Sequence, residues 1–174
     1  RVVMKKIFNK KISWDGLNLT CAMERYLNTN NLALELYDEE GEFYLVATLD
    51  SRQTLPKTNN AIIYNDKECA GILNAFAKVN MVKVVGKIDV KLMIRDLVVV
   101  NTRQFAEVDE DVFLEFAKSS YTDLNEFLNR NNKNVNEEEV IEEVTENIAK
   151  DDEKIDFMDD LELDKKLEAI LNDL

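Results

Sequence analysis

The stretch Leu32-Ala33-Leu34-Glu35-Leu36-Tyr37-Asp38-Glu39-Glu40-Gly41-Glu42-Phe43-Tyr44-Leu45-Val46-Ala47-Thr48-Leu49 decides how this chain folds. Leu32, Leu34 and Leu36 alternate with Ala33, Glu35 and Tyr37. A period of two is the mark of a strand with one buried face. Asp38-Glu39-Glu40-Gly41 supplies a turn, and Phe43, Leu45, Ala47 and Leu49 resume the alternation. A loop of this length pairs Leu36 with Phe43, Leu34 with Leu45 and Leu32 with Ala47, so the larger apolar groups share one side. Glu35, Tyr37, Glu42 and Tyr44 are left on the wetter side.

Working outward, Asp15-Gly16 marks a second tight hairpin, because glycine accepts the positive φ such a turn needs. It sets Trp14 opposite Leu17, Ile12 opposite Leu19 and Phe8 opposite Met23, with Lys10 facing Cys21 as the one discord. Beyond the central hairpin, residues 51–60 are polar, contain Pro56 and read as a loop, followed by a short strand at residues 61–64. Asn65 with Glu68 three residues on is a helix-start signal. The apolar stripe Cys69, Ile72, Leu73 and Phe76 then packs the helix on the sheet, with Gly71 inside it. Ile88, Val90, Leu92 and Ile94 alternate with Lys87, Asp89, Lys91 and Arg95, and residues 97–100 form a continuous apolar run suited to a central strand. The expectation for residues 1–103 is an α+β body, a mostly antiparallel sheet of about six or seven strands with one packed helix.

Part of this pattern resembles a known family. Asn31-Leu32-Ala33-Leu34 running into Leu36-Tyr37-Asp38-Glu39-Glu40-Gly41, the returning Ala47-Thr48-Leu49, and Thr58-Asn59-Asn60 before a helix are similar to small uncharacterised domains carried by phages and plasmids of Gram-positive bacteria. The likeness spans about residues 28–80, carries no catalytic motif, and implies an origin in a mobile genetic element.

Composition narrows the function classes. With 45 % hydrophobic residues the chain has material for a core, and one Pro with four Gly leaves little for flexible linkers. Histidine is absent, which excludes Ser-His-Asp and Cys-His catalysis, and two cysteines are too few for a thiolate zinc site. Met4 reads as the native start, no secretory leader or membrane-spanning run is expected, and a reduced cytoplasmic setting in a bacterial host follows. A non-enzymatic protein without cofactor or metal is expected. The acid run over residues 151–162 has acids at several calcium-loop positions, but Asp156 stands where the sharp turn needs Gly and Ile155 where an oxygen ligand is required.

Charge supplies the functional lead. Residues 104–174 hold 23 Asp and Glu against 7 Lys and Arg, whereas residues 1–103 hold 12 acids and 15 bases. The C-terminal part is expected as an acidic all-helical extension. Asp109-Glu110-Asp111 suits a helix start, where the dipole favours negative charge, and Phe113, Phe116, Ala117, Leu124, Phe127 and Leu128 recur at helical spacing. Ser119-Ser120 is placed to divide that helix. Further on, Glu137, Glu138, Glu142, Glu143 and Glu146, then Asp151, Asp152, Asp156, Asp159 and Asp160, are the candidate partner-binding carboxylates. Like charges three and four apart disfavour a helix by a few tenths of a kcal/mol each, roughly, so a partner that neutralises them offsets a real cost.

Carboxylates displayed along a helix imitate nucleic-acid phosphates toward a basic cleft. The expected partner is thus a basic surface of a host protein or nucleoprotein complex, such as a CRISPR effector or restriction enzyme that the chain inhibits. Leu163, Leu167, Ile170 and Leu174 form an apolar stripe that also suits a homo-oligomeric scaffold. A second alternative is single-stranded nucleic-acid binding, by Lys87, Lys91, Arg95, Lys5, Lys6, Lys10 and Lys11 with Tyr37 and Tyr44, regulated by the acidic tail.

Overall fold

A computed structural model describes residues 2–131 of the chain. The chain divides into two units, residues 1–124 and residues 125–174. The first is α+β, and its strands lie in two antiparallel sheets. The elements are β1 (Met4–Phe8), β2 (Ile12–Trp14), β3 (Leu17–Arg25), β4 (Leu32–Tyr37), β5 (Phe43–Val46), β6 (Thr48–Leu49), β7 (Asn60–Ile63), α1 (Ile72–Lys78), β8 (Val82–Val90), β9 (Met93–Val100), β10 (Phe105–Asp109) and α2 (Glu110–Lys118). A third helix, α3 (Leu124–Asn131), begins where the first unit ends.

One sheet runs β10-β1-β3-β4-β5 with β2 joined to β3, and the other runs β6-β7-β9-β8. The expected single sheet of six or seven strands is therefore corrected to ten strands in two sheets. A common core joins them: Phe8, Leu19, Cys21, Leu34 and Leu36 from the first, Ala61, Ile63, Val98 and Val100 from the second, and Ile72 and Phe76 from α1. The facing sides of the two sheets remove one another from water, and on its other side the second sheet packs Ile62, Val85, Leu97 and Val99 with Leu55 in a cluster of their own.

The hairpins form where they were expected, with instructive shifts of register. Asp15 and Gly16 take φ of 52° and 75°, and Trp14 faces Leu17 and Ile12 faces Leu19. Past Ile12 the pairing changes, so Lys6 and not Phe8 lies opposite Met23. The cause is the break at residues 9–11. Asn9 donates its backbone N–H to the Gln104 carbonyl, and Lys10 leaves β3 to form a bridge with Asp123. The discord between Lys10 and Cys21 disappears. A shift of two residues preserves the face, so Phe8 still enters the core.

The central hairpin shifts likewise: Leu36 faces Leu45 and Tyr37 faces Phe43, with an irregularity between Leu36 and Tyr37. Asp38 shapes the turn, its Oδ1 accepting the N–H groups of Glu40 and Glu42 at 2.9 and 3.0 Å. Gly71 is also relocated. It stands ahead of α1 as N-cap with φ of 82°, after a single 3-10 turn at Lys67–Cys69, instead of inside one longer helix.

The sheet continues past residue 103, where helix alone was expected. Phe105-Ala106-Glu107-Val108-Asp109 pairs along the whole of β1, and only then does α2 begin. Asp109 caps α2, its Oδ1 accepting the Val112 N–H at 2.9 Å, and Ser119 ends it. Phe113, Phe116 and Ala117 are buried as the spacing foretold. Lys11 fixes the far end of this helix: its buried ammonium donates to the carbonyls of Ala117 (3.4 Å) and Ser119 and lies 5.1 Å from the Phe116 ring. A cation is favoured there by the negative end of the helix dipole, although burial lowers the affinity of Lys11 for its proton.

Candidate functional site

The carboxylates singled out above, Glu137, Glu138, Glu142, Glu143, Glu146, Asp151, Asp152, Asp156, Asp159 and Asp160, lie outside the described residues, as do Leu163, Leu167, Ile170 and Leu174. Their charge is a property of the sequence. Taken at the boundary between the two units, residues 125–174 carry 17 Asp and Glu against six Lys and Arg, and residues 1–124 carry 18 against 16. The folded body is close to neutral, and the surplus negative charge belongs to the second unit.

The structure also places the basic residues considered for nucleic-acid contact, and it does not gather them. Lys5 donates to the Tyr37 hydroxyl at 3.2 Å and lies 5.0 and 5.3 Å from the Tyr37 and Phe113 rings. Glu35 approaches the same pair, its carboxyl raised above the usual range by burial and by the neighbouring Glu24. Lys11 is committed to the end of α2, and Lys87 forms an ion pair with Asp96. Arg95 is held by both oxygens of Asp66 and stacks 5.5 Å from the Tyr64 ring. These cations are neutralised or packed within the fold, and Tyr44 meets Trp14 edge to face at 6.4 Å.

Lys91 is different. It occupies the tip of the β8–β9 hairpin with Leu92, where Val90 pairs with Met93 across two residues at φ of 51° and 69°. The alternation of Ile88, Val90, Leu92 and Ile94 is divided here between two strands folded about this tip. Leu92, Met93 and Ile94 are 95, 51 and 66 % exposed. The sequence gives no warning of the turn, since neither residue is the Gly, Asn or Asp that left-handed backbone favours.

Both cysteines are buried without a disulfide, and burial pushes each thiol upward in pKa, away from the reactive thiolate. Among the described residues no group of three or more Cys, Asp or Glu is arranged to hold a metal ion, and no helix is long and apolar enough to cross a membrane. Comparison of the chain with protein-family models, with curated proteins and with solved structures gives no match.

Proposed function

We propose that this is a non-enzymatic interaction protein of a mobile genetic element, which inhibits a host nucleic-acid-handling defence complex by offering carboxylates to its basic cleft. The single observation that carries the reading is the partition of charge: a folded body near neutrality joined to 50 residues with 17 acids and six bases. A cleft lined with Lys and Arg binds DNA largely by releasing its counterions, and a polyanionic polypeptide competes on the same terms. The mobile-element origin rests on the likeness of residues 28–80 to phage and plasmid domains. The internal engagement of Lys5, Lys11, Lys87 and Arg95, which are spread over both sheets and a loop, weighs against a nucleic-acid track built from them.

The test is a cleavage assay with purified CRISPR effectors and restriction enzymes, each given a DNA target at rising protein concentration. Full-length protein is expected to suppress cleavage by one of them and to lower its DNA affinity. A variant with Glu138, Glu142, Asp152 and Asp159 changed to Lys is expected to lose both effects. Equal suppression by that variant contradicts the proposal.

A further inference from the structure

Two adjoining cavities of about 300 and 370 Å³ share Lys6, Met23, Arg25 and Glu107, and so form one groove across β10, β1 and β3. Met4, Leu32 and Glu24 bound one end; Thr58, Asn59, Thr102 and Phe105 bound the other. Lys6 is exposed at the groove. It points to the same face as Phe8, which enters the core, and it stands between Met23 on one neighbour and Glu107 on the other. No described carboxylate comes within ion-pair distance of its ammonium, Glu107 included.

Arg25 is held in advance. Its Nη1 donates to the carbonyls of Asn30 at 2.7 Å and Thr58 at 2.8 Å, which orients the guanidinium plane, and Arg25 lines both cavities. A planar fork beside a lysine point charge is the combination that recognises phosphate oxygens. Thr58, Asn59 and Thr102 line the same end of the groove. Phe105, braced edge to face against Phe8 at 5.3 Å, and Met23 supply the apolar surface on which a flat ring rests. Glu107 is an acceptor for an amino group at the ring's edge.

We propose that this groove binds a nucleoside monophosphate, with Lys6 and Arg25 on the phosphate and Phe105 under the base. The ligand is short for a reason: two cations do not form a track, and a chain of net charge −13 repels a long polyanion. A free nucleotide and the phosphorylated end of a strand present the same chemistry.

Amide NMR spectra of the full chain, titrated with AMP at low salt, test this. Saturable shifts are expected in β1, β3 and β10. Lys6→Gln should weaken AMP about tenfold, the loss of one charge-assisted contact, and Arg25→Gln should do the same if its spectrum remains that of the folded protein. Phe105→Leu should weaken AMP but leave inorganic phosphate, the weaker ligand, unchanged. Tighter binding of a 5′-phosphorylated trinucleotide than of AMP would make a strand end the source, and the reverse order a free nucleotide. Absence of saturable shifts in these strands up to about 20 mM AMP, or titrations indifferent to Lys6→Gln, would overturn it.

Discussion

Arg95 reaches from β9 to Asp66, beyond the end of β7, and is held there at two points, Nη2 to Oδ2 at 3.1 Å and Nη1 to Oδ1. The Arg95 side chain is largely covered, and its guanidinium rests on Tyr64. The hydrogen bond from Arg95 depresses the Asp66 carboxyl below its ordinary value of 3.8, against an opposing effect of desolvation. A carboxyl more acidic in the folded state contributes stability that is complete above its unfolded pKa and disappears as pH falls through the folded one. Wild type is therefore expected to unfold at higher denaturant than Asp66→Asn at neutral pH, and the two curves should converge in acid, below about pH 4. Denaturant midpoints measured across that range check it; a gap that stays constant into acid contradicts the assignment.

Gly41 closes the central turn at φ of 80°, and a Cβ built there would lie 2.8 Å from Leu114 Cδ2 on α2. Gly41→Ala is expected to cost about 1–2 kcal/mol, from left-handed backbone and from the displaced helix together. In a Leu114→Ala background the same change should cost less, because only the backbone part remains. Urea unfolding of the four proteins gives both numbers, and strict additivity would remove the contact from the account.

Leu92 in left-handed conformation at the β8–β9 tip, 95 % exposed, stores strain without any covering that compensates for it. Leu92→Gly is expected to stabilise the protein by about 1 kcal/mol, since glycine takes this backbone without steric cost. Thermal or chemical denaturation reads the gain directly. A loss of stability would mean that the leucine side chain contributes more by packing than its exposure indicates.

The hairpins and the buried faces were legible because alternation and turn chemistry are local. Asp15-Gly16 announces its turn, and Leu32, Leu34 and Leu36 announce their face. Register was less legible: Asn9–Lys11 leave the sheet to meet Gln104 and Thr122, partners more than 90 positions away that no window of sequence contains. The strand Phe105–Asp109 was hidden by its setting, a short segment ahead of an acid-rich helix start, and it exists because β1 offers it a free edge. Lys91-Leu92 lacks the residues that mark a tight turn, so nothing local places the break between the two strands. The groove at Lys6 and Arg25 is not legible in any single stretch, because its walls come from β1, β3, β4, β10 and two connecting segments. The carboxylates of the second unit were read from composition alone, and their charge rests on the sequence.

The central claim is electrostatic, and the most direct measurement is the affinity of full-length protein for the inhibited effector as a function of salt. Affinity is expected to fall steeply between about 50 and 200 mM salt, as it does for the nucleic acid being imitated. The protein with Glu138, Glu142, Asp152 and Asp159 changed to Lys should bind weakly at every concentration. Affinity that is indifferent to salt, or retained by that variant, would contradict the account.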